Sequence, residues 1–467
     1  MGRHVLTPFE LAFDDGVTSE RLRVDTVLRI VPGKRLVAKA QWRGETIIAK
    51  LFFGRSHWKQ NLLRDLRGVT QLREAGILTP RVVGQYDASD KGGNVLLFDY
   101  LRDATSLLDL FAAAGTDEER GLIVEMGIAS IVQCHEAGLY QRDLHLDNFM
   151  LSGGKVYVLD GYDIRQAPAP LERGLRLTNL GLFFAQMPVD MDVNIPRWLD
   201  HYRRLTNAFD DDVEVELMTA VRTARLKRLT IIENKLFRSS TATRLVQSRT
   251  RLAVYDRTLH SPALEALIAD PDTLLARGTL LKDGGASTVA LIKFEGRDYV
   301  LKRYNIKGFV HGLKRLFRPS RAHKSWRSAA TLLALGIATP RPCLFVEERL
   351  LWVLRRRAWF LCEYVPGINL LEQLQPGEGQ VSRVLAEFRH LFHVMREYNV
   401  SHGDMKASNF IYHNDRLYVL DLDATQRHPT SARAEKSLQK DIDRFRRNWS
   451  GTELEQPVQA ILDELRR

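Results

Sequence analysis

Apolar residues recur with two different spacings along this chain. Seven apolar side chains between residues 381 and 395 share one face at a 3.6-residue period, which predicts an amphipathic helix. They are Val381, Val384, Leu385, Phe388, Leu391, Phe392 and Met395. A matching helix is predicted from roughly Glu118 to Ala137, because Gly138 is a residue that commonly follows a helix end. Short β-rich runs precede these two helices, "RLVAKAQWRGETIIAKLFF" and "STVALIKFEGRDYVLKRY". Each half of the chain is therefore predicted to form strands first and helices afterwards.

The order of elements repeats because the sequence itself repeats. "GILTPRV" begins at Gly76 and "GIATPRP" at Gly336, 260 residues later, while a second pair of similar segments contains Asp143 and Asp404, 261 residues apart. A period this long indicates duplication of a whole domain, since solenoid repeats are about 20 to 50 residues long. The length of 467 residues also favours two or three domains. We predict a first domain at 1–245 and a second at 246–467.

Each repeat contains a short hairpin with polar residues at fixed points. "NFML-SGGK-VYVLD" and "NFIY-HNDR-LYVLD" are each two apolar runs joined by a polar turn. An Asp lies in the loop before the hairpin, an Asn opens its first strand, and a second Asp closes its last strand, 17 residues after the first Asp in both repeats. These residues are Asp143, Asn148 and Asp160 in the first repeat and Asp404, Asn409 and Asp421 in the second.

Composition indicates the class of protein and its cellular compartment. With 45% hydrophobic and 27% charged residues, the chain is typical of globular proteins. Its three cysteines, Cys134, Cys343 and Cys362, are scattered and are expected to be buried thiols in a reducing compartment. We find no signal peptide and no run of the roughly 18 apolar residues that a membrane span needs, so a cytoplasmic location is expected. The net charge of +11 favours anionic partners: nucleic acid, phosphorylated small molecules or an acidic membrane surface.

The polar residues of the hairpins suit phosphoryl transfer. A loop Asp can act as general base for a hydroxyl, and an Asn oxygen and a strand-end carboxylate are the hard ligands that Mg²⁺ takes beside phosphate oxygens. A cation for the nucleotide phosphates is also needed. Each half supplies a strand-end Lys upstream, Lys50 in "IIAK" and Lys302 in "YVLK".

These motifs resemble those of a known superfamily. "RDLHLDN" and "HGDMKASN" resemble the catalytic loop of the protein-kinase-like fold, "LDGYD" and "LDLD" its metal-binding D-F-G, and "IIAK" its V-A-I-K strand. Within that superfamily, "HGD" with the D-x-D of "LDLD" and the "LKRYNIKG...RPSRA...W...LGIATPRP" run are similar to the bacterial lipopolysaccharide kinase family, which phosphorylates heptose or Kdo sugars of the inner core. The resemblance implies an α+β fold of two tandem protein-kinase-like units. Each would have a small five-stranded, β-rich N-lobe and a mostly helical C-lobe.

The resemblance also implies a role for each matching residue, with ATP and Mg²⁺ as cofactors. Asp143 and Asp404 would be catalytic bases. Mg²⁺ would be held by Asn148 and Asp160 in the first half and by Asn409 and Asp421 in the second. The nucleotide would contact Lys50, Asp65, Asp99, Leu101, Lys302, Gly284, Gly285, Glu363 and Val365, of which Asp99, Leu101, Glu363 and Val365 lie on the hinge strands "NVLLFDYL" and "AWFLCEYV".

Both halves depart from the family pattern, at different points. The first half has Gln141 where the kinase loop usually has His, and it is poor in glycine where the phosphate loop is expected. The second half has a better phosphate loop, "DGGAST", but no acid from Tyr299 to Val346, so that Ser325 stands where the first half offers Asp65 to its lysine. We expect the second half, with Asp404, to support the main activity and the first to be weaker or regulatory.

The acid-free stretch is strongly basic. It contains Lys302, Arg303, Lys307, Lys314, Arg315, Arg318, Arg321, Lys324 and Arg327, interleaved with Phe309, Phe317 and Trp326. Such a stretch is either a solvated face or a patch for the lipopolysaccharide core or the anionic inner-membrane surface, and nucleic acid is the less favoured partner.

Three functions are compatible with these patterns. The first is ATP-dependent transfer of phosphate to a sugar hydroxyl of the lipopolysaccharide core or another lipid-linked saccharide, by a protein that lies in the cytoplasm or at the inner membrane. The second is a tandem pseudokinase that scaffolds other core-synthesis enzymes. The third is a kinase of proteins or of a small soluble alcohol such as an aminoglycoside.

Overall fold

The protein forms two compact units, Met1–Arg225 and Leu226–Arg467, in a computed structural model. The structure describes residues 5–14, 19–54, 57–88, 93–206, 208–209, 212–305, 319–350, 354–373 and 379–464. The division falls within the helix Val213–Lys235. The predicted boundary at residue 245 lies inside the second unit.

The first unit begins with a closed antiparallel barrel of six strands. In barrel order the strands are Phe9–Asp14, Ser19–Val31, Arg35–Trp42, Glu45–Phe53, Gly93–Asp99 and Val82–Ala88. The expectation of five strands was wrong here, because Phe9–Asp14 pairs with strands on both sides and closes the sheet, with Phe13 opposite Ala88.

Alternation of side chains decides which residues of the barrel face its core. On the strand Glu45–Phe53, Ile47, Ala49 and Leu51 are buried in the barrel interior. Lys50, between two of these, points to the other face of the sheet, since neighbouring residues of a strand alternate in direction.

Helices and short strand pairs make up the rest of the first unit. The helices are Trp58–Glu74, Leu107–Ala113, Asp117–Glu136, Arg173–Phe184 and Ile195–Leu205. The helix Val213–Lys235 begins in this unit, and its part from Leu226 belongs to the second unit. The predicted helix near 118–137 is thus present, and a capping box between Thr116 and Glu119 fixes its start. The predicted hairpin is formed by Phe149–Ser152 and Lys155–Val158. The other short strands are Thr105–Ser106, Leu139–Gln141 and Ile164–Gln166.

The second unit contains a seven-stranded antiparallel sheet. In sheet order the strands are Thr243–Gln247, Arg251–Asp256, Pro342–Leu350, Leu354–Glu363, Arg297–Tyr304, Ser287–Phe294 and Thr279–Gly284. Five strands were expected here too, and that expectation was wrong. The first two strands add to the sheet at the edge of Pro342–Leu350, with Val254 opposite Phe345.

Along the sequence, the other helices of the second unit come between strands of this sheet and after its last strand. They are Pro262–Ala269, Pro271–Arg277, Arg321–Ala334, Leu370–Gln373, Gly379–Glu397, Ser431–Arg447 and Glu455–Glu464. The second predicted hairpin is formed by Phe410–His413 and Arg416–Val419, and the strands Val400–Ser401 and Gln426–Arg427 pair with each other. The mixed class of strands and helices is confirmed. Among the described residues no helix is long and apolar enough to cross a membrane.

Candidate active site

A cleft of about 540 Å³ in the second unit collects most of the polar residues predicted there. Its sheet side is lined by Val289, Lys302 and Phe360, which lie on three adjacent strands. Its other side is lined by Asn409 and Asp421, which flank the hairpin Phe410–Val419. The cleft volume falls in the range of pockets for small ligands and cofactors, about 300 to 1,000 Å³.

Lys302 makes an ion pair with Asp421 at the base of this cleft. Its Nζ donates to Oδ1 of Asp421 at 2.5 Å, and both side chains are largely buried. Burial opposes the charge on Lys302, but the Tyr304 side chain and the Asp421 carboxylate outweigh it and raise the pKa of Lys302. Burial likewise disfavours the charged Asp421, yet the ammonium of Lys302, with Arg321 and Lys282, lowers the pKa of that carboxyl. The pair is therefore charged on both sides.

The loop before the hairpin holds Asp404 in a fixed orientation. Arg444 lies 2.7 Å from one carboxylate oxygen of Asp404 and Lys406 lies 3.5 Å from the other. Asn409 donates its side-chain amide to the backbone oxygen of Asp404 at 2.8 Å. The carboxylate is only partly exposed, so these cations hold it at the surface of the loop.

A buried carboxylate supports this loop from below. Asp441, on the helix Ser431–Arg447, is 2% exposed and accepts the backbone N–H groups of His402 at 2.7 Å and Gly403 at 2.9 Å. Burial raises the pKa of Asp441, and the two N–H groups and the neighbouring His402 counteract this effect. Gly403 has a φ of +81°, which favours glycine at this bend. Neither Asp441 nor Arg444 was identified from the sequence, because both lie on a helix some 40 residues downstream.

The first unit has a corresponding cleft of about 330 Å³. Lys50, Asp99, Leu101 and Asp160 all line it. Lys50 here donates to both carboxylate oxygens of Asp65, at 3.2 and 2.9 Å, and lies 3.9 Å from Asp160. The pairing of Lys50 with Asp65, expected from the alignment of the two halves, is thus present.

Close packing brings the helix Trp58–Glu74 against Asp160. A Cβ on Gly68 would lie 1.9 Å from the carbonyl oxygen of Gly161, so no larger residue fits on the helix at that point. This approach carries the fully buried Asp65 to within reach of Lys50. A second cation, Arg35, lies 3.7 Å from Asp160, and sequence reasoning missed it.

Gln141 and His402 make equivalent contacts in the two units. Gln141 donates its amide to the carbonyl oxygen of Leu159 at 2.6 Å, and Nε2 of His402 lies 2.9 Å from the carbonyl oxygen of Leu420. Each carbonyl belongs to the residue just before the strand-end Asp. The replacement of His by Gln therefore preserves this contact. In both units the Asn of the hairpin also donates to the backbone oxygen of the loop Asp, at 2.6 Å from Asn148 and at 2.8 Å from Asn409.

The remaining predicted site residues differ in their exposure and in whether they line a cleft. Asp143 is exposed, and Val365 lines the second cleft. Asp99 is paired with Arg81 at 2.6 Å and Glu363 lies 3.8 Å from Arg341, so the two hinge acids have matching partners. Leu281 and Lys282, on the strand that ends at Gly284, line the second cleft. Binding of nucleotide phosphates by Gly284 and Gly285 stays a prediction.

The oxygen ligands proposed for Mg²⁺ fit a hard cation. Asn409 and Asp421 line one cleft, and their oxygens are of the type that Mg²⁺ takes together with phosphate oxygens. In the first unit, Oδ1 of Asp160 is buried and has no hydrogen-bond partner among the described residues, but it lies 3.7 Å from Arg35 and 3.9 Å from Lys50. The described part of the chain has no cluster of three or more acidic, His or Cys side chains for a metal. Phosphate oxygens would thus have to complete the coordination.

Comparison with known proteins identifies a family for part of the chain. Residues 281–461 match the model of the Lipopolysaccharide kinase (Kdo/WaaP) family. One similar solved structure is "WaaP in complex with acyl carrier protein", with 20% sequence identity and a TM-score of 0.33 over 43% of this chain and 87% of that chain. No curated protein matches. The family match bears out, for this part of the chain, the prediction of a lipopolysaccharide kinase.

Proposed function

We propose that the second unit, whose residues 281–461 match the lipopolysaccharide kinase family, is the catalytic unit of this protein. It would transfer the γ-phosphate of ATP to a hydroxyl of an inner-core sugar, heptose or Kdo. The observation that carries this proposal is the single cleft lined by Lys302, Asn409 and Asp421, beside an Asp404 carboxylate that two cations orient.

In this proposal each residue has one task. Lys302 binds the nucleotide phosphates, and Asn409 and Asp421 hold Mg²⁺, which when bound neutralises charge on the phosphate oxygens. Asp404 accepts the proton of the sugar hydroxyl while the hydroxyl oxygen bonds to the γ-phosphorus. The bond from that phosphorus to the bridging oxygen of ADP breaks, and ADP leaves. Val365 and the backbone around Glu363 receive the adenine.

We also propose that the chain consists of two tandem kinase-like units. Support comes from matching contacts: Lys50 and Lys302 lie near Asp160 and Asp421, and both of these acids have φ near +60°, at +61° and +54°. In this proposal Asp143 is a weaker base, and Asn148 and Asp160 hold a second Mg²⁺. The first unit would then be a weaker or regulatory unit, because Asp143 is exposed and has no ion pair among the described residues.

The test is phosphate incorporation into purified core oligosaccharide by the full-length protein. We expect Asp404→Ala to lower the rate at least about 100-fold, because a positioned base contributes about 10² to 10⁴. Asp143→Ala should leave most of the rate, and Asp443→Ala, an exposed acid on the helix Ser431–Arg447, is the control for a lost surface charge. If Asp143→Ala abolishes transfer and Asp404→Ala does not, the assignment of the catalytic unit is wrong.

Acceptors of different chemistry separate this function from the alternatives. Transfer to a protein or to an aminoglycoside, with none to heptose- or Kdo-containing saccharide, would contradict the sugar assignment. ATP binding with no transfer to any acceptor would favour a pseudokinase scaffold for core-synthesis enzymes.

We further propose peripheral association with an anionic inner-membrane surface. The predicted basic stretch lies partly outside the described residues, at 306–318, but Lys324 and Arg327 are described and exposed. Binding to anionic liposomes should fall as salt rises, because charges are screened over about 8 Å at physiological ionic strength. Salt-independent binding, or none, would argue for a solvated face.

A further inference from the structure

A second cavity of the second unit lies apart from the nucleotide cleft. It has a volume of about 270 Å³ and is bounded by the helix Arg321–Ala334, by Ala424–Arg427 and by Glu233. The helix separates the two spaces, since its Ser325 and Ala329 line the nucleotide cleft while its Lys324, Arg327 and Ser328 line this cavity.

The floor of this cavity is polar. Ser328, Thr331 and Thr425 are between 5% and 6% exposed and all line it. Ser328 donates to the carbonyl oxygen of Thr425 at 3.0 Å, which ties the helix to the segment after Asp421. A cavity with a buried hydroxyl floor suits a polar ligand better than an apolar one.

The charge around the cavity is positive and only partly neutralised. Arg427 is held by Glu233 through two contacts, at 3.0 and 2.9 Å, so that this acid is already engaged. Lys324 and Arg327 also line the cavity, and neither has an ion pair with an acid among the described residues. The guanidinium of Arg327 lies 5.7 Å from the centre of the Phe237 ring, which orients it.

The cations around the cavity also affect the pKa of His323. Its ring stacks on Phe237 with centroids 3.9 Å apart and lines the cavity. Burial, followed by the nearby Arg327, Arg355, Arg349 and Lys324, lowers the pKa of His323 to about 3. The imidazole is therefore neutral near pH 7 and adds hydrogen-bonding capacity without charge.

We infer that this cavity is a binding site for a phosphate monoester or inorganic phosphate, held by Lys324, Arg327 and Arg427 over the hydroxyl floor. Its cations come from two segments about 100 residues apart in sequence and converge on one space, whereas a solvated basic face would have no such cavity. Guanidinium and ammonium groups are the side chains that recognise phosphate. A bound anion would link the helix Arg321–Ala334 to the segment that follows Asp421. Because Ser325 and Ala329 of that helix line the nucleotide cleft, the anion would also affect the cleft.

The experiment measures binding of inorganic phosphate and of glucose 6-phosphate to the full-length protein by calorimetry at constant ionic strength. We expect the double variant Lys324→Ala, Arg327→Ala to weaken binding at least tenfold. The matched control, Lys436→Ala with Lys440→Ala, removes two exposed cations from the helix Ser431–Arg447, and we expect it to stay within twofold of the unaltered protein. Equal binding by all three proteins would overturn the inference.

Binding in the nucleotide cleft must be distinguished from binding here. Lys302→Ala removes the phosphate-binding lysine of the cleft, so phosphate binding that persists in this variant supports the second site. Phosphate binding that is lost in Lys302→Ala and kept in the Lys324→Ala, Arg327→Ala variant would overturn the inference. Hydrogen exchange should slow in 322–331 and 424–427 when the ligand binds.

A further arm identifies the source of the phosphate. Vesicles that contain phosphatidic acid, a phosphate monoester, are compared with vesicles of matched surface charge that contain phosphatidylglycerol, a phosphodiester. Binding to phosphatidic acid that depends on Lys324 and Arg327, with weak binding of soluble phosphate, supports the site and assigns it to a lipid headgroup. Binding of soluble esters alone supports the site and assigns it to a free phosphate. All these readouts are independent of phosphoryl transfer, so the inference can fail or hold separately from the proposed function.

Discussion

Removing the charge of Asp441 tests how the catalytic loop is held. Asp441 is 2% exposed and accepts the N–H groups of His402 and Gly403 at 2.7 and 2.9 Å. In Asp441→Asn only one of these groups can meet an oxygen, and the other faces an amide N–H. A hydrogen bond to a charged group contributes about 1.5 to 3 kcal/mol, and an unsatisfied buried donor costs about 1 to 3 kcal/mol.

Part of that loss is offset, because the variant no longer buries a charge. We therefore expect the second unit to lose about 2 kcal/mol of unfolding free energy, as a net of the terms above. The amides of His402 and Gly403 should exchange faster with solvent, and phosphate transfer should fall because Asp404 follows directly. Urea unfolding, hydrogen exchange and transfer to core saccharide measure the three effects. Asp443→Asn on the same helix is the control. Unchanged exchange of the two amides, with stability within about 0.5 kcal/mol, would show that the loop does not depend on Asp441.

Two further predictions concern the first unit. His135 is fully buried and its ring nitrogens contact Asn179 and Tyr202. Burial lowers the pKa of His135 from 6.5 to about 4, and the hydrogen bond with Asn179 opposes only part of this effect. The unfolded state then gains the proton first, so the first unit should lose up to about 3 kcal/mol of stability as pH falls from 6.5 to 4. Unfolding curves across this range should lose that slope in His135→Gln, and a slope that persists would assign it to other groups. Asp65→Asn should destabilise the first unit by about 2 to 3 kcal/mol, less than the 3 to 5 of a fully broken buried pair, because Lys50 can turn to Asp160. Hydrogen exchange in 35–74 measures this effect, Ser325→Ala is the matched change in the second unit, and no change in exchange would mean that Asp65 is dispensable.

The sequence predicted what depends on local pattern. Both hairpins, the amphipathic helix near 381–395, its counterpart near 118–137 and the pairing of Lys50 with Asp65 follow from spacing and from the internal repeat, and all are present. The number of strands in the barrel and in the seven-stranded sheet could not be predicted in this way. Phe9–Asp14 closes a barrel only because it meets Val82–Ala88, and such long-range pairing leaves little trace in local alternation.

The supporting residues of the site also escaped sequence reasoning. Arg444 and Asp441 reach the loop of Asp404 from a helix that begins after it, and Arg35 reaches Asp160 from an early strand. Charged residues are frequent on helix and strand surfaces, so an ion pair between distant segments has no signature that separates it from a solvated charge. Only the fold brings these groups together.

The missing carboxylate of the second unit has a structural replacement. Ser325, at the position of Asp65, does not serve the lysine, since its hydroxyl is 2.8 Å from that of Tyr304. Lys302 instead lies 5.0 Å from the centre of the Tyr304 ring and pairs directly with Asp421. In the first unit the aromatic neighbour of Lys50 is Phe98, at 5.1 Å, and Asp65 supplies the charge. Both lysines are thus largely buried, flanked by a ring and paired with an acid. Lys50 pairs with Asp65 and lies 3.9 Å from Asp160, whereas Lys302 pairs with Asp421, the counterpart of Asp160. The absence of an acid from Tyr299 to Val346 is therefore no argument that the second unit has lost its function.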